Sequence, residues 1–222
     1  MSVAQRAARE EALARAAAVV EECRRCAIGS TRRNPAYGEG DACAALMLVG
    51  EGPGETEDRL GRPFVGRAGE LLDRMLAAID LPREDVYICN TVKCRPTLNE
   101  EGKLRNRAPD PLEMANCRPY LDEQIEIIRP HVILALGAPA ARSFFGPKFS
   151  ITRQRGQWFA GPHDIPTIAT FHPAYILRQT GGELTAVKRL VWDDLKAVRA
   201  RLDALRTAPL PEPERYQGSL FE

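Results

Sequence analysis

Four short apolar segments, each followed by a glycine or a polar residue, constrain the fold of this chain more than any other feature. They are residues 44–49, 86–89, 131–137 and 166–171, and helical patterns separate them along the sequence. Short apolar runs bounded by turn residues predict buried strands, and strands that alternate with helices predict a parallel sheet covered on both faces. We therefore expect an α/β fold with three layers, αβα, around a mainly parallel four-stranded sheet.

Five segments have the capping residues, composition or apolar spacing of helices. Ser2 and Gln5 have the form of a capping box at the start of the first helix. The predicted helices cover residues 2 to about 22, 68–80, a segment opened by Pro111, 138–145, and 183–206. Between them, we expect loops over residues 50–67 and 97–110 and an irregular or hairpin segment over 151–159.

Length and composition point to one globular domain. The 222 residues are 44% apolar, which is enough for a buried core, and we place the domain at residues 1–207. Residues 208–222 carry three prolines and few core-forming residues, so we expect a flexible tail. No apolar run approaches the roughly 20 residues that a membrane span needs, and the N-terminus shows no apolar targeting segment. We expect a cytoplasmic protein that does not enter membranes.

The cysteines indicate a metal or cluster site. In a cytoplasmic chain, six cysteines argue against a disulfide framework. Cys23 and Cys26 have the spacing of paired metal ligands, and Cys94 and Cys117 each precede an Arg-Pro pair. Four thiolates suit either a tetrahedral zinc ion or a [4Fe–4S] cluster, and spacing alone leaves both open.

Polar or glycine residues follow all four predicted strands. A glycine-rich acidic loop at 50–58 follows the first strand, and Asn90, Gly137 and His172 mark the ends of the other three. Because ligands of parallel sheets bind at the carboxyl ends of the strands, we expect one pocket there. Individually, Asn90 could close a turn and His172 could be an ordinary loop histidine. No nucleotide cofactor is expected, since the loop has Glu55 where a dinucleotide fingerprint needs glycine and no phosphate-loop Gly-Lys-Ser/Thr occurs.

Six sequence blocks, in order, closely resemble the family 4, iron–sulfur uracil-DNA glycosylases. The blocks are GEGPGETED (50–58), GRPFVGRAG (61–69), NTVKCRP (90–96), RPHVILALGAPAA (129–141), ITRQRGQWF (151–159) and FHPAYILR (171–178). The resemblance implies the uracil-glycosylase αβα fold and a monofunctional hydrolase. Such an enzyme cleaves the bond between uracil and deoxyribose in single- or double-stranded DNA, leaving an abasic site for base-excision repair. It also implies a structural [4Fe–4S] cluster on Cys23, Cys26, Cys94 and Cys117, because glycosidic hydrolysis requires no electron transfer.

The resemblance also assigns roles around an extrahelical uracil. Phe64 would stack on the base, Asn90 would pair with its O4 and N3–H, and His172 would donate to O2 as negative charge develops there. Glu57 would lie near the edge where thymine carries its methyl group.

The water-activating group is less well defined. Backbone N–H groups near Gly52 would help to bind the leaving group, and Glu51 would lie near the attacking water. Glycosylases of the better-known family have an aspartate where this chain has Gly52, so no general base is certain. Either Glu51 orients the water, or catalysis rests mainly on stabilising the leaving group.

Basic residues and the tail supply further hypotheses about partners. The predicted contacts with DNA phosphates are Arg95, Arg105, Arg107, Arg155 and Arg178. The alternative is a solvated charged surface, and the net charge of +1 favours neither. Gln217, Leu220 and Phe221 match the Q-x-x-L-F pentapeptide with which bacterial DNA-metabolism proteins bind the sliding clamp. Alternatively, these tail residues fold back onto the domain.

Two other functions remain open at this point. One is a glycosylase that acts on other deaminated bases, because small changes in a pocket decide specificity. The other is a non-enzymatic iron–sulfur or zinc module that binds nucleic acid, although such a module leaves Phe64, Asn90 and His172 unexplained. For the glycosylase we expect a monomer associated with the nucleoid.

Overall fold

A computed structural model describes residues 2–207 of the chain and contains a six-stranded sheet and a separate hairpin. The strands are β1 (Gly38–Gly40), β2 (Leu46–Gly50), β3 (Tyr87–Asn90), β4 (Thr97–Glu100), β5 (Lys103–Asn106), β6 (Val132–Leu136), β7 (Trp158–Ala160) and β8 (Pro166–Thr170). The order in the large sheet is β1-β3-β2-β6-β8-β7. Its four central strands are parallel, and β1 and β7 pair antiparallel at the two edges.

The four central strands are the four that the sequence predicts, whereas both edge strands extend the prediction. The central strands β2 and β6 are buried along their whole length, which explains their continuous apolar sequences. The edge strand β1 is Gly-Glu-Gly, and β7 has only three residues. Neither has enough residues to show the alternation from which a strand can be inferred.

Helices cover both faces of the sheet, so the three-layer prediction is confirmed. They are α1 (Val3–Glu21), α2 (Ile28–Thr31), α3 (Glu55–Leu60), α4 (Arg67–Ala77), α5 (Pro111–Ile128), α6 (Ala138–Phe145), α7 (Ile151–Gln154), α8 (Pro173–Ile176) and α9 (Gly181–Thr207). Side chains of α4, α8 and α9 pack on one face, against Leu48, Ile88 and Leu134. Side chains of α1, α5 and α6 pack on the other, against residues such as Ile133 and Ala135.

Helix α1 begins where the capping box predicts. The Ser2 side chain accepts a hydrogen bond from the Gln5 backbone N–H at 3.2 Å, and the Gln5 side chain accepts one from the Ser2 N–H at 2.9 Å. Only Leu13, Ala16 and Val20 of this helix are buried. The helix therefore packs on the domain by one stripe and ends just before Cys23.

Two predicted loops contain regular structure, so both predictions are wrong in part. The loop over residues 50–67 includes α3, which begins after Gly54 and has three acidic residues in its first turn, where the helix dipole favours them. The loop over 97–110 includes the β4–β5 hairpin, whose turn at Glu101 and Gly102 has positive φ angles. The hairpin is largely exposed and therefore lacks the apolar alternation of a half-buried strand.

Within residues 2–207, none of the helices is both long enough and apolar enough to cross a lipid bilayer. The predicted tail at 208–222, including Gln217, Leu220 and Phe221, lies outside the described residues.

Candidate active site

A cavity of about 740 Å³ opens at the carboxyl edge of the central strands. Each predicted catalytic or base-binding residue contributes to its lining: Glu51, Gly52, Glu57, Phe64, Asn90 and His172. Segments distant in sequence meet here because parallel strands all end at the same edge of the sheet.

Asn90 is the last residue of β3, and its side-chain oxygen has no hydrogen-bond partner among residues 2–207. The residue is 1% exposed, and its Oδ1 atom is buried and unpaired. Gly50, its partner in β2, leaves space in front of the amide, since a Cβ atom there would lie 2.4 Å from Asn90 Oδ1 and 2.4 Å from Phe64 Cζ. An unsatisfied buried acceptor costs about 1–3 kcal/mol, so this atom is suited to a donor supplied by a ligand.

Phe64 forms an aromatic wall of the cavity and has an unusual backbone conformation. Its φ angle is +51°, in the left-handed region, and its ring centroid lies 5.5 Å from that of His172 with the planes at 30°. Gly69 permits this turn, because a Cβ atom at position 69 would lie only 1.8 Å from the Phe64 carbonyl oxygen. The ring is 6% exposed and lies against the space in front of Asn90.

Glu57 fixes the loop that carries Phe64. Its Oε1 accepts hydrogen bonds from the N–H groups of Val65 at 3.0 Å and Gly66 at 2.9 Å. Its Oε2 accepts one from the Gly54 N–H at 3.2 Å. The carboxylate thus joins the start of α3 to the start of α4, a role that the sequence analysis did not predict.

His172 is a neutral hydrogen-bond donor in this environment. Its Nδ1 accepts a hydrogen bond from the Ala174 N–H at 3.1 Å, so the neutral ring carries its proton on Nε2. Burial, assisted by the positive charge of Arg178, lowers the pKa of His172 to about 4. Gly137, with φ of +91°, gives the ring room, since a Cβ atom there would lie 3.0 Å from His172 Cβ.

Glu51 lines the cavity directly after β2, and hydrogen bonds to its backbone hold it in place. Its carbonyl oxygen accepts hydrogen bonds from the Thr91 hydroxyl at 2.5 Å and the Val92 N–H at 3.2 Å. Burial raises the pKa of its carboxyl group above the usual value. A partly desolvated carboxylate of this kind can accept a hydrogen bond from water.

The four cysteines of the predicted ligand set converge on one end of the core, beside α1 and α5. Cys94 and Cys117 are buried, and Cys23 and Cys26 pack against the same apolar cluster. Cys94 Sγ accepts a hydrogen bond from Arg32 Nη1 at 2.9 Å, and Cys117 Sγ accepts one from the Lys93 N–H at 3.2 Å.

This donor set fits an iron–sulfur cluster chemically, because N–H donors to sulfur are among the contacts that tune such clusters. As the side chains lie, no three His, Cys, Asp or Glu residues within 2–207 form a group that could hold one metal ion.

The predicted DNA-contacting arginines differ in what they already bind. Arg107 forms an ion pair with Glu113 in which two hydrogen bonds measure 2.7 and 2.5 Å. Arg155 pairs with the buried Asp194.

The other three arginines differ from one another in burial and in their partners. Arg95 is 92% buried as a side chain and donates to Asn106 Oδ1 at 2.7 Å, and the exposed Arg105 pairs with Glu100 at 2.7 Å. Arg178 lines the cavity, is exposed, and has no hydrogen bond or ion pair from its side chain among the described residues.

Some cavity residues were not predicted. Phe171 and Tyr175 line the wall next to His172, with ring centroids 4.9 Å apart. They lie in the FHPAYILR block, so their position beside His172 was the available signal. Behind the cavity lining, the fully buried Lys93 of the NTVKCRP block was also missed, because an isolated lysine normally indicates an exposed side chain.

Comparison with known proteins agrees with this geometry. Residues 37–196 match the family model described as the Uracil DNA glycosylase superfamily. A type-4 uracil-DNA glycosylase of Thermotoga maritima is 47% identical over 86% of this chain and 95% of its own length. Enzymes with the same name from Sulfurisphaera tokodaii and Saccharolobus solfataricus are 40% and 38% identical, over 81% and 90% of this chain and 80% and 89% of their own. The chain therefore belongs to the type-4 uracil-DNA glycosylases of the uracil-DNA glycosylase superfamily.

Proposed function

We propose that this protein hydrolyses the N-glycosidic bond of uracil in DNA and leaves an abasic site for base-excision repair. The observation that carries the proposal is the Oδ1 atom of Asn90, buried and unpaired within residues 2–207, in a cavity that Phe64 and His172 also line. An acceptor in that position suits the N3–H of uracil. Cytosine has no hydrogen on N3, so its pairing edge would face the same acceptor with an acceptor.

The cavity suits a base that has left the DNA stack. The Phe64 ring offers a stacking surface of the kind that receives flipped bases. Its left-handed backbone is held by the Glu57 carboxylate, which places Glu57 at the edge of the same cavity. Glu57 would thereby restrict space near C5 of the base, where thymine carries a methyl group, and Gly50 would leave the space that uracil needs.

Uracil leaves as an anion, so the site must stabilise developing negative charge. With Nδ1 bound to the Ala174 N–H, the Nε2–H of His172 is the donor available for uracil O2. The lowered pKa keeps the ring neutral at pH 7, so His172 would act as a fixed hydrogen-bond donor rather than as an acid that loses its proton. Backbone N–H groups beside Gly52 lie at the same wall.

Glu51 is the candidate that orients the water. Burial raises the pKa of its carboxyl group, and hydrogen bonds join its backbone to the segment that follows Asn90. Attack on an oxocarbenium-like sugar needs only a well-placed nucleophile, so Glu51 would contribute by position and by accepting a water proton.

Single-turnover assays on defined oligonucleotides test the proposed reaction. We expect cleavage of U opposite G, U opposite A and single-stranded U, and none of T opposite G or of hypoxanthine. Asn90→Ala should slow uracil cleavage by about 5- to 150-fold, the equivalent of about 1–3 kcal/mol for a lost buried hydrogen bond. Asn99→Ala, at an exposed hairpin asparagine, is the matched control. Faster cleavage of hypoxanthine than of uracil would favour the altered-specificity alternative, and no cleavage of any base would favour a binding module.

The pH dependence of the single-turnover rate tests the role of Glu51. Protonation of this carboxyl should lower the rate as pH falls, with a midpoint above its usual value because burial raises the pKa. His172 stays neutral over the same range, since its pKa of about 4 lies below it. Glu51→Gln should therefore be slower than wild type by about 10²- to 10⁴-fold at pH 7 and should lack the acidic limb. An unchanged rate in Glu51→Gln would assign catalysis to leaving-group stabilisation alone.

We also propose that Cys23, Cys26, Cys94 and Cys117 hold a [4Fe–4S] cluster. The support is the family resemblance, the convergence of the four thiols at one end of the core, and the N–H donors directed at Cys94 and Cys117. When bound, the cluster would supply a structural cross-link rather than redox chemistry. It would join the end of α1, the segment after β3 and helix α5.

Analysis of the purified protein tests the cluster. We expect about four iron atoms and about four acid-labile sulfides per chain, with a visible absorbance band. Cys117→Ser should lose much of both and should lower the temperature of unfolding, because ligand binding to the native state contributes folding free energy. Cys43→Ser, outside the ligand set, is the control. A colourless protein with one zinc per chain would overturn the assignment.

We further propose that Gln217, Leu220 and Phe221 bind the sliding clamp. The support is the match of residues 217–221 to the Q-x-x-L-F pentapeptide and their place on a proline-containing segment, which suits binding as an extended peptide. Deleting residues 217–222 should abolish capture by the immobilised clamp without changing uracil cleavage of short oligonucleotides. Capture that survives the deletion would end this proposal. We propose in addition that the protein acts as a monomer in the cytoplasm, on the DNA of the nucleoid. Among the predicted DNA-contacting arginines, Arg178 is the first candidate for contact with a phosphate.

A further inference from the structure

Lys93 is a fully buried lysine that no step of the reaction above uses. Its exposed fraction is 0%, and its ammonium group donates hydrogen bonds to the Asn90 carbonyl oxygen at 2.7 Å and to Gln124 Oε1 at 2.5 Å. The ammonium also lies 5.7 Å from the centroid of the Tyr37 ring. Lys93 is thus anchored between the base-recognition residue and helix α5.

This position is costly for a lysine. Transfer of an ammonium group from water to the interior of a protein is strongly unfavourable unless its donors are satisfied. Among residues 2–207, no carboxylate forms an ion pair with Lys93; its ammonium group bonds to two neutral oxygens and also interacts with the buried Cys89 thiol. A methionine would fill similar space at a lower desolvation cost. Packing alone therefore does not explain why a charged side chain occupies this position. The hydrogen bond from the ammonium group to the Asn90 carbonyl oxygen offers an explanation.

The backbone of Lys93 is fixed as firmly as its side chain. Its N–H donates to Cys117 Sγ at 3.2 Å, and its carbonyl oxygen accepts from the Ala36 N–H at 2.7 Å. Cys117 and Gln124 are seven residues apart, two turns of α5, so both face Lys93 from one side of that helix. Gln124 Nε2 in turn donates to the Tyr37 carbonyl at 2.9 Å and to the Tyr87 hydroxyl at 3.0 Å.

The Asn90 amide depends on this anchor because its own side-chain oxygen has no partner in the described part of the chain. Its direction is therefore set by the backbone at the end of β3, and Lys93 holds the carbonyl of that residue. The following residues continue the support: Thr91 N–H donates to the Gly50 carbonyl at 2.9 Å and Val92 N–H to the Glu51 carbonyl at 3.2 Å. A small shift of the anchored segment would move Asn90 and Glu51 together.

We propose that Lys93 is a positioning residue for base recognition, which couples the cysteine-bearing helix α5 to the Asn90 amide. The inference rests on the proposed function, since it takes Asn90 as the group that binds uracil. It assigns Lys93 no contact with substrate. Its effect is to keep the amide in the one orientation that matches the uracil edge.

Binding of free uracil separates this role from general stability. Lys93→Met should raise the inhibition constant for free uracil and lower the single-turnover rate at saturating DNA, each by about 10- to 100-fold, the range for one misplaced buried hydrogen bond. Affinity for abasic-site DNA, iron content and unfolding temperature should stay close to wild type. Lys93→Gln retains an amide donor and should recover part of the uracil affinity. Lys188→Met, at an exposed lysine of α9, is the matched control.

A double-mutant cycle tests the coupling through α5. Gln124→Leu removes the helix-borne acceptor of Lys93 without touching Asn90 or a cysteine. If the two act in one chain of contacts, the Lys93→Met/Gln124→Leu protein should resemble Lys93→Met within about threefold in uracil inhibition. If the fold-changes of the two single variants in the uracil inhibition constant instead multiply in the double variant, the proposed coupling is wrong.

The outcomes also separate this inference from the proposed function. A wild-type protein that cleaves no uracil would overturn the proposed function itself. A wild-type protein that cleaves uracil, with unchanged uracil inhibition in Lys93→Met, would overturn only the role of Lys93. Loss of iron and of stability in proportion to the lost rate would make Lys93 a structural residue and would also overturn it. If Lys93→Met does not fold, the same readouts are taken from Lys93→Gln.

Discussion

The parallel pairing of the four central strands is the constraint on which the site depends. In the register of β2 with β3, Gly50 lies directly beside Asn90, and β6 and β8 end at the same edge, with Gly137 directly after β6 and His172 two residues after β8. Residues separated by more than a hundred positions therefore meet at one edge of the sheet. The hydrophobic layers on both faces hold this register. A shift of one residue would move every side chain of a strand to the opposite face of the sheet and disrupt its packing against the helices.

Three glycines determine the space that is available at the carboxyl edge of the sheet. At Gly50 a single added carbon would fill the space in front of Asn90, and at Gly69 it would displace the backbone of Phe64. Gly137 leaves room for the His172 ring. The cavity is therefore defined as much by missing side chains as by the residues that line it. The fold keeps one buried acceptor unsatisfied there, which costs stability and preserves a place for a ligand donor.

The sequence predicts the elements that have an apolar periodicity or a recognisable motif. It does not predict features that depend on single contacts between segments distant in sequence. The central strands and the main helices follow from apolar periodicity, and the resemblance carried Phe64, Asn90 and His172 to one cavity. The β4–β5 hairpin was missed because exposed strands have no buried face to impose alternation. The backbone contacts of Glu57 could not be inferred, since α3 itself was not predicted. The pairing of Arg107 with Glu113 was equally hidden, because nothing in either segment distinguishes an arginine for DNA from one for a carboxylate.

The Glu57 carboxylate has a consequence for the timing of recognition. Three backbone N–H groups bind it before any substrate arrives, and they hold Phe64 in a conformation that a phenylalanine rarely adopts. The strain of that conformation is met when the protein folds, so in the role proposed for Phe64 an arriving base would find its stacking surface already assembled. Under that proposal, ordering of this loop would add no step to recognition, and the opening of a base pair in the DNA would be the slow event.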